Sequence, residues 1–234
     1  QSAALDTAVR ESQVRGGVKI KKTNADTNTI DKRTAGTQIR ILANGTVYDN
    51  LNSRTYDSGD LVMTITVGSD GYASTGERDL APGSYKTVEG DVVNGPFLKN
   101  STWVHEFTIG SAEADDGVIK DATSDPLPNT PVRGGVSFVK EDGNLGSTPS
   151  GDSALEGAAV TIYAAENITT DGETIRFRKD EAVTTVTFAL SDGKYVAGTG
   201  EKELYSGNYY AKETTAPTGY QLNTAWKPEF IIGG

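Results

Sequence analysis

The stretch that decides the fold is residues 209–220, which read YYAKETTAPTGY. Its first half alternates like a β-strand, and its second half holds the proline and glycine of a turn. Successive side chains of a strand point to opposite faces, so Tyr209 and Glu213 share one face. If the tyrosine lies in the core, a carboxylate is buried beside it, and a buried carboxylate needs a partner.

A lysine in a different strand also shares a face with apolar side chains. In VSFVK, residues 136–140, the apolar side chains Val136 and Phe138 share a face with Lys140. Burying those two side chains therefore turns the lysine inward as well. For the lysine or the glutamate taken alone, the alternative is that the strand end frays and the charged group reaches solvent.

The inward lysine and the inward glutamate each occur twice in the sequence. This repetition favours the interpretation that these charged side chains are buried. Two segments recur along the chain: VRGGV at 14–18 and 132–136, and a segment beginning SDG at 69–89 and 191–213. In the first copies the inward positions are Lys22 and Glu89. The two lysines are 140 − 22 = 118 residues apart and the two glutamates 213 − 89 = 124. This spacing predicts two tandem domains of one fold.

The composition of the chain limits the possible fold classes and functions. The chain has 234 residues, 27 of them glycine, and its short alternating runs between turn residues predict all-β sandwiches. A net charge of −10 argues against nucleic acid as a partner. The absence of cysteine and the single histidine, His105, argue against thiol catalysis, histidine triads and metal centres. No apolar run reaches the roughly 18 residues that a membrane span needs. We therefore expect no cofactor, no metal and no external-substrate enzyme.

The domain boundaries follow from the repeats and from the proline-rich stretch between them. We expect residues 1–13 to be the tail strand and linker of an upstream domain, and 14–125 to be the first domain. Residues 126–131 (PLPNTP) are interpreted as a linker; they resemble the sortase signal LPXTG, with proline in place of its glycine. The second domain is placed at 132–234, without a last strand. In the first domain, Asn44-Gly45 predicts a two-residue hairpin.

Three segments of the second domain resemble the CnaB-type (SpaA-like) immunoglobulin-like domains of Gram-positive pilins and surface adhesins. They are GGVSFVKED at 134–142, LEGAAVTIYAAE at 155–166 and the opening stretch at 209–220. The first domain carries RGGVKIKKTNAD and GSYKTVE and then departs from the pattern. The resemblance implies two tandem immunoglobulin-like (CnaB/prealbumin-like) β-sandwiches.

The resemblance also implies a chemistry. Such domains form an isopeptide bond between a lysine on the first strand and an Asn or Asp on the last strand, assisted by a glutamate. Lys22 and Lys140 then correspond to the nucleophiles, and Glu89 and Glu213 to the assisting acids. With the last strand of the first domain expected at 117–122, Asp121 becomes the expected partner of Lys22. The alternative is a simple ion pair between lysine and carboxylate.

Lys140 has no evident partner within the sequence. Residues 4–7, just before the first VRGG, resemble 119–122, which lie near the second. Asp6 is therefore expected to lie on the last strand of an upstream domain and to complete the second domain of a neighbouring copy by strand addition. The simpler alternative is a strand absent from this sequence.

The function implied by the resemblance is structural. The chain would be a stalk or shaft segment of a surface pilin or adhesin, extracellular and attached to the cell wall through parts outside this sequence. Its partners would be neighbouring domains or copies, and its only catalysis the single-turnover formation of its own bonds. The alternative is a ligand-binding adhesin module that recognises a host matrix protein or glycan through the loops at 48–56 and 167–178.

Overall fold

A computed structural model describes residues 9–146 and 154–233. The chain divides into two compact units. The first contains the residues up to Thr23, Ile30–Gly95 and Lys99–Asn129, and the second contains Asn24–Thr29, Pro96–Leu98 and Thr130 onwards. The described residues form strands and turns with two short 3-10 helices, so the prediction of an all-β chain is confirmed.

The first half of the chain forms two larger sheets around one core and a third sheet of two strands. Its strands are β1 (Gly17–Asn24), β2 (Gln38–Ala43), β3 (Val47–Asp49), β4 (Arg54–Tyr56), β5 (Leu61–Thr66), β6 (Tyr72–Ser74), β7 (Gly83–Glu89), β8 (Phe97–Leu98), β9 (Val104–Ile109), β10 (Ile119–Asp121) and β11 (Leu127–Pro131). The 3-10 helices are Lys32–Thr34 and Glu113–Asp115. One sheet has the order β5-β2-β7-β9, and in the other β1 pairs with β6, β10 and β11. Ile20, Ile41 and Tyr85 are among the buried side chains of the core.

The second half repeats this plan. Its strands are β12 (Arg133–Gly134), β13 (Ser137–Lys140), β14 (Ala159–Ala164), β15 (Ile168–Thr169), β16 (Ile175–Phe177), β17 (Ala182–Thr187), β18 (Ala189–Ser191), β19 (Lys194–Gly198), β20 (Leu204–Tyr205), β21 (Gly207–Thr215) and β22 (Glu229–Ile232). The sheet orders are β17-β14-β21-β22 and β13-β19-β18. Phe138, Ile162 and Tyr209 are buried in its core.

Close backbone approach explains why VRGGV occurs twice. A Cβ on Gly17 would lie 2.3 Å from the carbonyl oxygen of Gly76, and one on Gly135 would lie 2.4 Å from that of Gly200. No side chain fits at those distances, so both positions need glycine. The neighbouring threonines bind the strand in the same way, since Val18 N donates to Thr75 Oγ1 and Val136 N to Thr199 Oγ1, each at 3.0 Å.

Three expectations about the first half are wrong. Residues 127–131 are not a linker, because they form strand β11, which pairs with β1. The strand expected at 117–122 is β10. It is not the last strand of its sheet along the chain, because β11 follows it and belongs to the same sheet. The Asn44-Gly45 hairpin is also absent from the described residues, because β2 pairs with β5 and β7 while β3 pairs with β4.

Candidate functional site

The first domain buries a lysine next to a glutamate. Lys22 lies on β1 and Glu89 ends β7, and both side chains are 0% exposed, with Nζ 4.0 Å from Glu89 Oε1. Their strands turn them inward by the alternation that buries Ile20 and Tyr85 on the same faces. The structure thus brings together the two charged residues that the pattern predicts to point into the core.

Strand β11 adds a third polar side chain, that of Asn129. It is 0% exposed, and its Nδ2 donates to Glu89 Oε2 at 2.9 Å. The Lys22 ammonium donates to the backbone carbonyl of Leu127, two residues earlier, at 3.3 Å. Lysine, glutamate and asparagine therefore come from three strands, and β11 covers the pair that β1 and β7 present.

Asp121 does not lie at this site, which corrects the expected pairing with Lys22. It is exposed, and its strand β10 pairs with β1 at Lys19 rather than at Lys22. Residues 19 and 22 point to opposite faces of β1, so a side chain beside Lys19 cannot follow Lys22 into the core. Hydrogen bonds from Thr123 lower the pKa of Asp121, which keeps it a solvated carboxylate.

The two oxygens of Glu89 have different surroundings. Oε2 accepts hydrogen bonds from Asn129 Nδ2 and from the backbone N–H of Asn100. Oε1 is buried and has no hydrogen-bond partner within the described residues, and it is the oxygen that faces the Lys22 ammonium. One oxygen is thus held next to the amide nitrogen of Asn129 while the other remains open toward the lysine.

Burial changes the protonation of Lys22. Removal from water lowers the pKa of its ammonium from the usual 10.5 to about 8, although the negative charges of Glu89 and Asp31 act in the opposite direction. A lysine with this pKa reaches its neutral, nucleophilic form far more easily than one in water.

A turn at Asn100 links the glutamate to β11. The Asn100 backbone N–H binds Glu89, and its Nδ2 donates to the carbonyl of Pro128 at 2.8 Å. Its Oδ1 accepts from the backbone N–H of Trp103 at 3.0 Å, which closes the turn. Asn100 therefore holds both the carboxylate and the residue that precedes Asn129.

The second domain contains the same pair and the same turn. Lys140 Nζ lies 2.5 Å from Glu213 Oε1, and the backbone N–H of Asn223 donates to Glu213 Oε2 at 2.7 Å. Asn223 Oδ1 accepts from the backbone N–H of Trp226 at 3.1 Å. A repeated Asn-x-x-Trp signal, NSTW at 100–103 and NTAW at 223–226, marks both turns. Its spacing of 223 − 100 = 123 residues matches that of the glutamates, so the signal was available from sequence alone and was missed.

The two lysine–glutamate pairs differ in how far their side chains are exposed to solvent. The side chains of Lys140 and Glu213 are 19% and 4% exposed, against 0% for both partners in the first domain. A cleft of about 150 Å³ opens beside them, and its lining includes Val139, Asn223 and Trp226. Strand β13 lies at the edge of its sheet as far as the described residues show.

The other expectations concern Asp6, metal binding and membrane-spanning segments. Asp6, the expected intermolecular partner of Lys140, lies outside the described residues. Across residues 9–146 and 154–233, no group of His, Asp and Glu side chains has an arrangement suited to holding a metal ion. No helix within those ranges has the length and apolarity to cross a membrane.

A comparison with protein families identifies the second half of the chain. Residues 147–232 match the family model of the SpaA prealbumin-like fold domain. This part of the chain is similar to SpaA domains. The matched range includes the motifs at 155–166 and 209–220, and it confirms the resemblance that they indicate. No curated protein sequence matches the chain.

Among solved structures, one shares the fold of this chain, and two others are less similar. The Bacillus anthracis TIE protein is 22% identical with a TM-score of 0.59, and the match covers 94% of this chain and 31% of that protein. The pilus adhesin SpaC from Lactobacillus rhamnosus GG is 17% identical with a TM-score of 0.47, covering 93% of this chain and 26% of SpaC. A streptococcal ancillary pilin is 21% identical with a TM-score of 0.36, covering 96% and 60%. The chain thus spans a third or less of TIE and SpaC.

Proposed function

We propose that the chain is a structural stalk segment of a Gram-positive surface pilin or adhesin, and that its first domain forms an amide bond between Lys22 and Asn129 with help from Glu89. The observation that carries the proposal is the sealed lysine–glutamate–asparagine site, which joins the strand that opens the domain to the strand that closes it. The SpaA family match of the second domain supports the cell-surface role.

The first step is the removal of a proton from Lys22. Glu89 Oε1 is the open oxygen that faces the ammonium 4.0 Å away. Transfer of one proton neutralises both groups, and burial lowers the free-energy cost of this transfer because it penalises charged forms. The same desolvation lowers the pKa of the Lys22 ammonium to about 8.

The second step is attack by the neutral amine on Cγ of Asn129. A bond forms between Lys22 Nζ and Cγ, and the bond from Cγ to Nδ2 breaks. Glu89 passes its proton to Nδ2, which Oε2 already contacts at 2.9 Å, and accepts the proton that the new amide nitrogen loses. The overall change is ammonium plus carboxamide giving secondary amide plus ammonium, because the last proton leaves with the ammonia and Glu89 returns to its carboxylate.

Positioning supplies much of the acceleration. The three side chains are held by strands β1, β7 and β11, so the reaction is intramolecular, and well-oriented intramolecular reactions reach effective concentrations of about 10⁵ M or more. The Asn100 turn fixes Glu89 and β11 relative to each other. Because the site is sealed, the reaction occurs once per molecule and takes no external substrate.

The position of the bond suits a mechanical role. Lys22 is near the start of the first domain and Asn129 near its end, 129 − 22 = 107 residues later. Force that enters through one terminal strand passes across the amide to the other, without extending the chain between them. The bond also needs no oxidant, in contrast to a disulfide, which suits a protein without cysteine.

Single-molecule pulling on the two ends of the chain tests this role. The native protein should show no extension from the 107 residues between Lys22 and Asn129. The Asn129→Ala variant should gain an unfolding event of about 350 Å, because an extended residue spans about 3.3 Å. Asn129→Asp, which retains a carboxyl carbon for attack, is the matched control and should behave like the native protein. Equal extension of the native protein and the alanine variant would contradict the proposal.

A further inference from the structure

We infer that Asn44 is a site of spontaneous chemical modification, at which the side chain closes onto the backbone nitrogen of Gly45 and then hydrolyses to aspartate and isoaspartate. Asparagine is followed by glycine at two places in the sequence, Asn44-Gly45 and Asn94-Gly95. Glycine in the second position favours ring closure, because it has no side chain to hinder the approach of its backbone nitrogen. The two sites differ in their hydrogen bonds, and this difference selects Asn44.

Asn44 and Gly45 lie in the connection between β2 and β3, where the reacting atoms are not bound by the rest of the protein. Neither the Asn44 side-chain amide nor the Gly45 backbone N–H makes a hydrogen bond to the described residues. A Cβ placed on Gly45 would meet no atom within 4 Å. The amide can therefore turn toward the Gly45 nitrogen without breaking a hydrogen bond, and the space around that nitrogen is open.

Asn94 has a different environment, although it is the more exposed of the two asparagines. Its Nδ2 donates to the carbonyl of Ala35, and its backbone N–H donates to Thr37 Oγ1 at 3.1 Å. A Cβ on Gly95 would lie 2.7 Å from the carbonyl oxygen of Arg33, so this glycine packs against the segment that holds the asparagine. Exposure alone would select this asparagine for modification, whereas its contacts protect it.

The hydrogen bond of the Asn94 side chain sets the expected difference in rate. Both asparagines have their backbone N–H bound, Asn44 to the carbonyl of Ser84 at 2.9 Å and Asn94 to Thr37 Oγ1. Only Asn94 must also release its carboxamide before the ring can close. The loss of one hydrogen bond within a protein should slow this step by about fivefold or more.

The reaction balances without an enzyme or a cofactor. In the first step the Gly45 nitrogen loses its proton to solvent and attacks Cγ of Asn44, the bond from Cγ to Nδ2 breaks, and ammonia leaves with a proton from solvent. The product is a five-membered succinimide ring. In the second step water adds to either ring carbonyl and the ring C–N bond breaks, which gives aspartate or isoaspartate. The overall change is asparagine plus water giving a carboxylate plus ammonium.

The products change the connection between β2 and β3 in two ways. Either product adds a carboxylate, so the formal net charge of the chain changes from −10 to −10 − 1 = −11. Isoaspartate also lengthens the main chain by one methylene group. Both ends of the connection are fixed, since Ala43 N donates to the carbonyl of Asp60 at 2.9 Å and Val47 is 1% exposed. The extra length must therefore be absorbed at residues 45 and 46.

Peptide mapping of the folded chain over time in a mildly alkaline buffer tests the inference. Trypsin releases Asn44 in the peptide 41–54 and Asn94 in the peptide 87–99, so each molecule carries its own control. We expect the peptide 41–54 to be converted to its aspartate and isoaspartate forms at least about fivefold faster than the peptide 87–99. Fragment spectra locate the converted residue within each peptide.

Unfolding in urea removes the structural difference between the two sites. Both Asn-Gly pairs should then be converted at similar rates, because neither keeps its surroundings. Two variants in the folded chain complete the control. Asn44→Gln should stop the conversion of the peptide 41–54, and Asn94→Gln should leave the rate of that conversion unchanged.

Two results would overturn the inference. Conversion of the peptide 87–99 as fast as that of 41–54 in the folded chain would show that hydrogen bonding gives no protection. An unchanged peptide 41–54 in the folded chain, over a time in which the unfolded chain is converted, would show that the fold protects this site as well. The succinimide lacks one ammonia, as the proposed amide product does, but neither peptide contains Lys22 or Asn129. The map therefore distinguishes failure of the proposed amide bond from failure of this inference.

Discussion

The two lysine–glutamate pairs of this chain occupy equivalent positions and differ in environment. Lys22 and Glu89 are fully buried with 4.0 Å between Nζ and Oε1. Lys140 and Glu213 are in direct contact at 2.5 Å, and their side chains are 19% and 4% exposed. In the first domain β11 covers the pair and Asn129 occupies one carboxylate oxygen. In the second the carboxylate binds the ammonium directly.

Under the proposed reaction, the covering strand, rather than the pair itself, decides whether the lysine can react. A lysine and a glutamate that share a partly solvated cleft are stable as an ion pair of modest strength. The same residues sealed from water are costly as charges, which favours their neutral and reactive forms. The strand that removes water also brings the asparagine, so activation and substrate arrive together.

The largest expected effect comes from replacing each lysine by methionine. Lys22→Met removes the proposed bond, which closes a segment of 129 − 22 = 107 residues. By analogy with a crosslink over about 100 residues, this should lower the free energy of unfolding of the first domain by about 4–5 kcal/mol. Lys140→Met breaks an ion pair and no covalent bond, and it should lower that of the second domain by a smaller amount, about 1–3 kcal/mol. Denaturant unfolding of the two variants measures both changes. Equal losses of unfolding free energy in the two domains would contradict the proposed difference between the pairs.

A pH titration of a variant that cannot react gives a smaller effect. In Asn129→Ala, Lys22 remains a free amine with a pKa of about 8 in the native protein, against 10.5 in the unfolded chain. Between these values the unfolded state binds more protons, so the free energy of unfolding should rise with pH. The slope should be about 1 kcal/mol per pH unit from pH 8 to 10.

The control for this titration is the double variant Lys22→Met with Asn129→Ala. It lacks the buried amine, so its unfolding free energy should lack this rise over the same range. Denaturant unfolding at several pH values measures both variants. Parallel curves for the single and double variants would show that Lys22 does not titrate as a buried group.

The smallest expected effect concerns the two asparagine turns. Asn100→Ala loses the bond to Pro128 and the bond from the Trp103 N–H, and it should destabilise the first domain by about 1–2 kcal/mol. Asn223→Ala loses the bond from the Trp226 N–H in an exposed turn and should cost less than about 1 kcal/mol. Thermal unfolding of the paired variants checks the difference. A larger loss from Asn223→Ala would contradict the assignment of Asn100 as the link to β11.

Much of the site could be predicted from sequence because strands alternate. Alternation identifies four charged residues that share a strand face with apolar neighbours: Lys22, Glu89, Lys140 and Glu213. The internal repeat supports the interpretation that these charged side chains point into the core. The structure brings each lysine to its glutamate. The all-β class follows from the same alternation and from the turn residues between the short runs.

Asn129 was missed for a physical reason. LPNTP at 127–131 contains two prolines, which usually mark linkers or sheet edges, and its five residues are too few for a clear hydrophobic pattern. In the structure Leu127, Asn129 and Pro131 are buried, so the alternation is present but its inward positions include a polar side chain and a proline. Asp121 was chosen instead because β10 carries an ordinary strand pattern, although its position beside Lys19 leaves it in solvent.

The most direct test of the central claim is the intact mass of the native chain compared with that of Asn129→Ala. The account predicts that the native chain is lighter than its sequence by one ammonia that the variant retains, and that tryptic mapping finds Lys22 and Asn129 in one branched peptide. The variant also sets the baseline for ammonia lost elsewhere, such as by cyclisation of Gln1. A native mass that shows no loss beyond this baseline would contradict the proposed bond. Loss of one water instead would show that a carboxylate, and not Asn129, is the partner of the lysine.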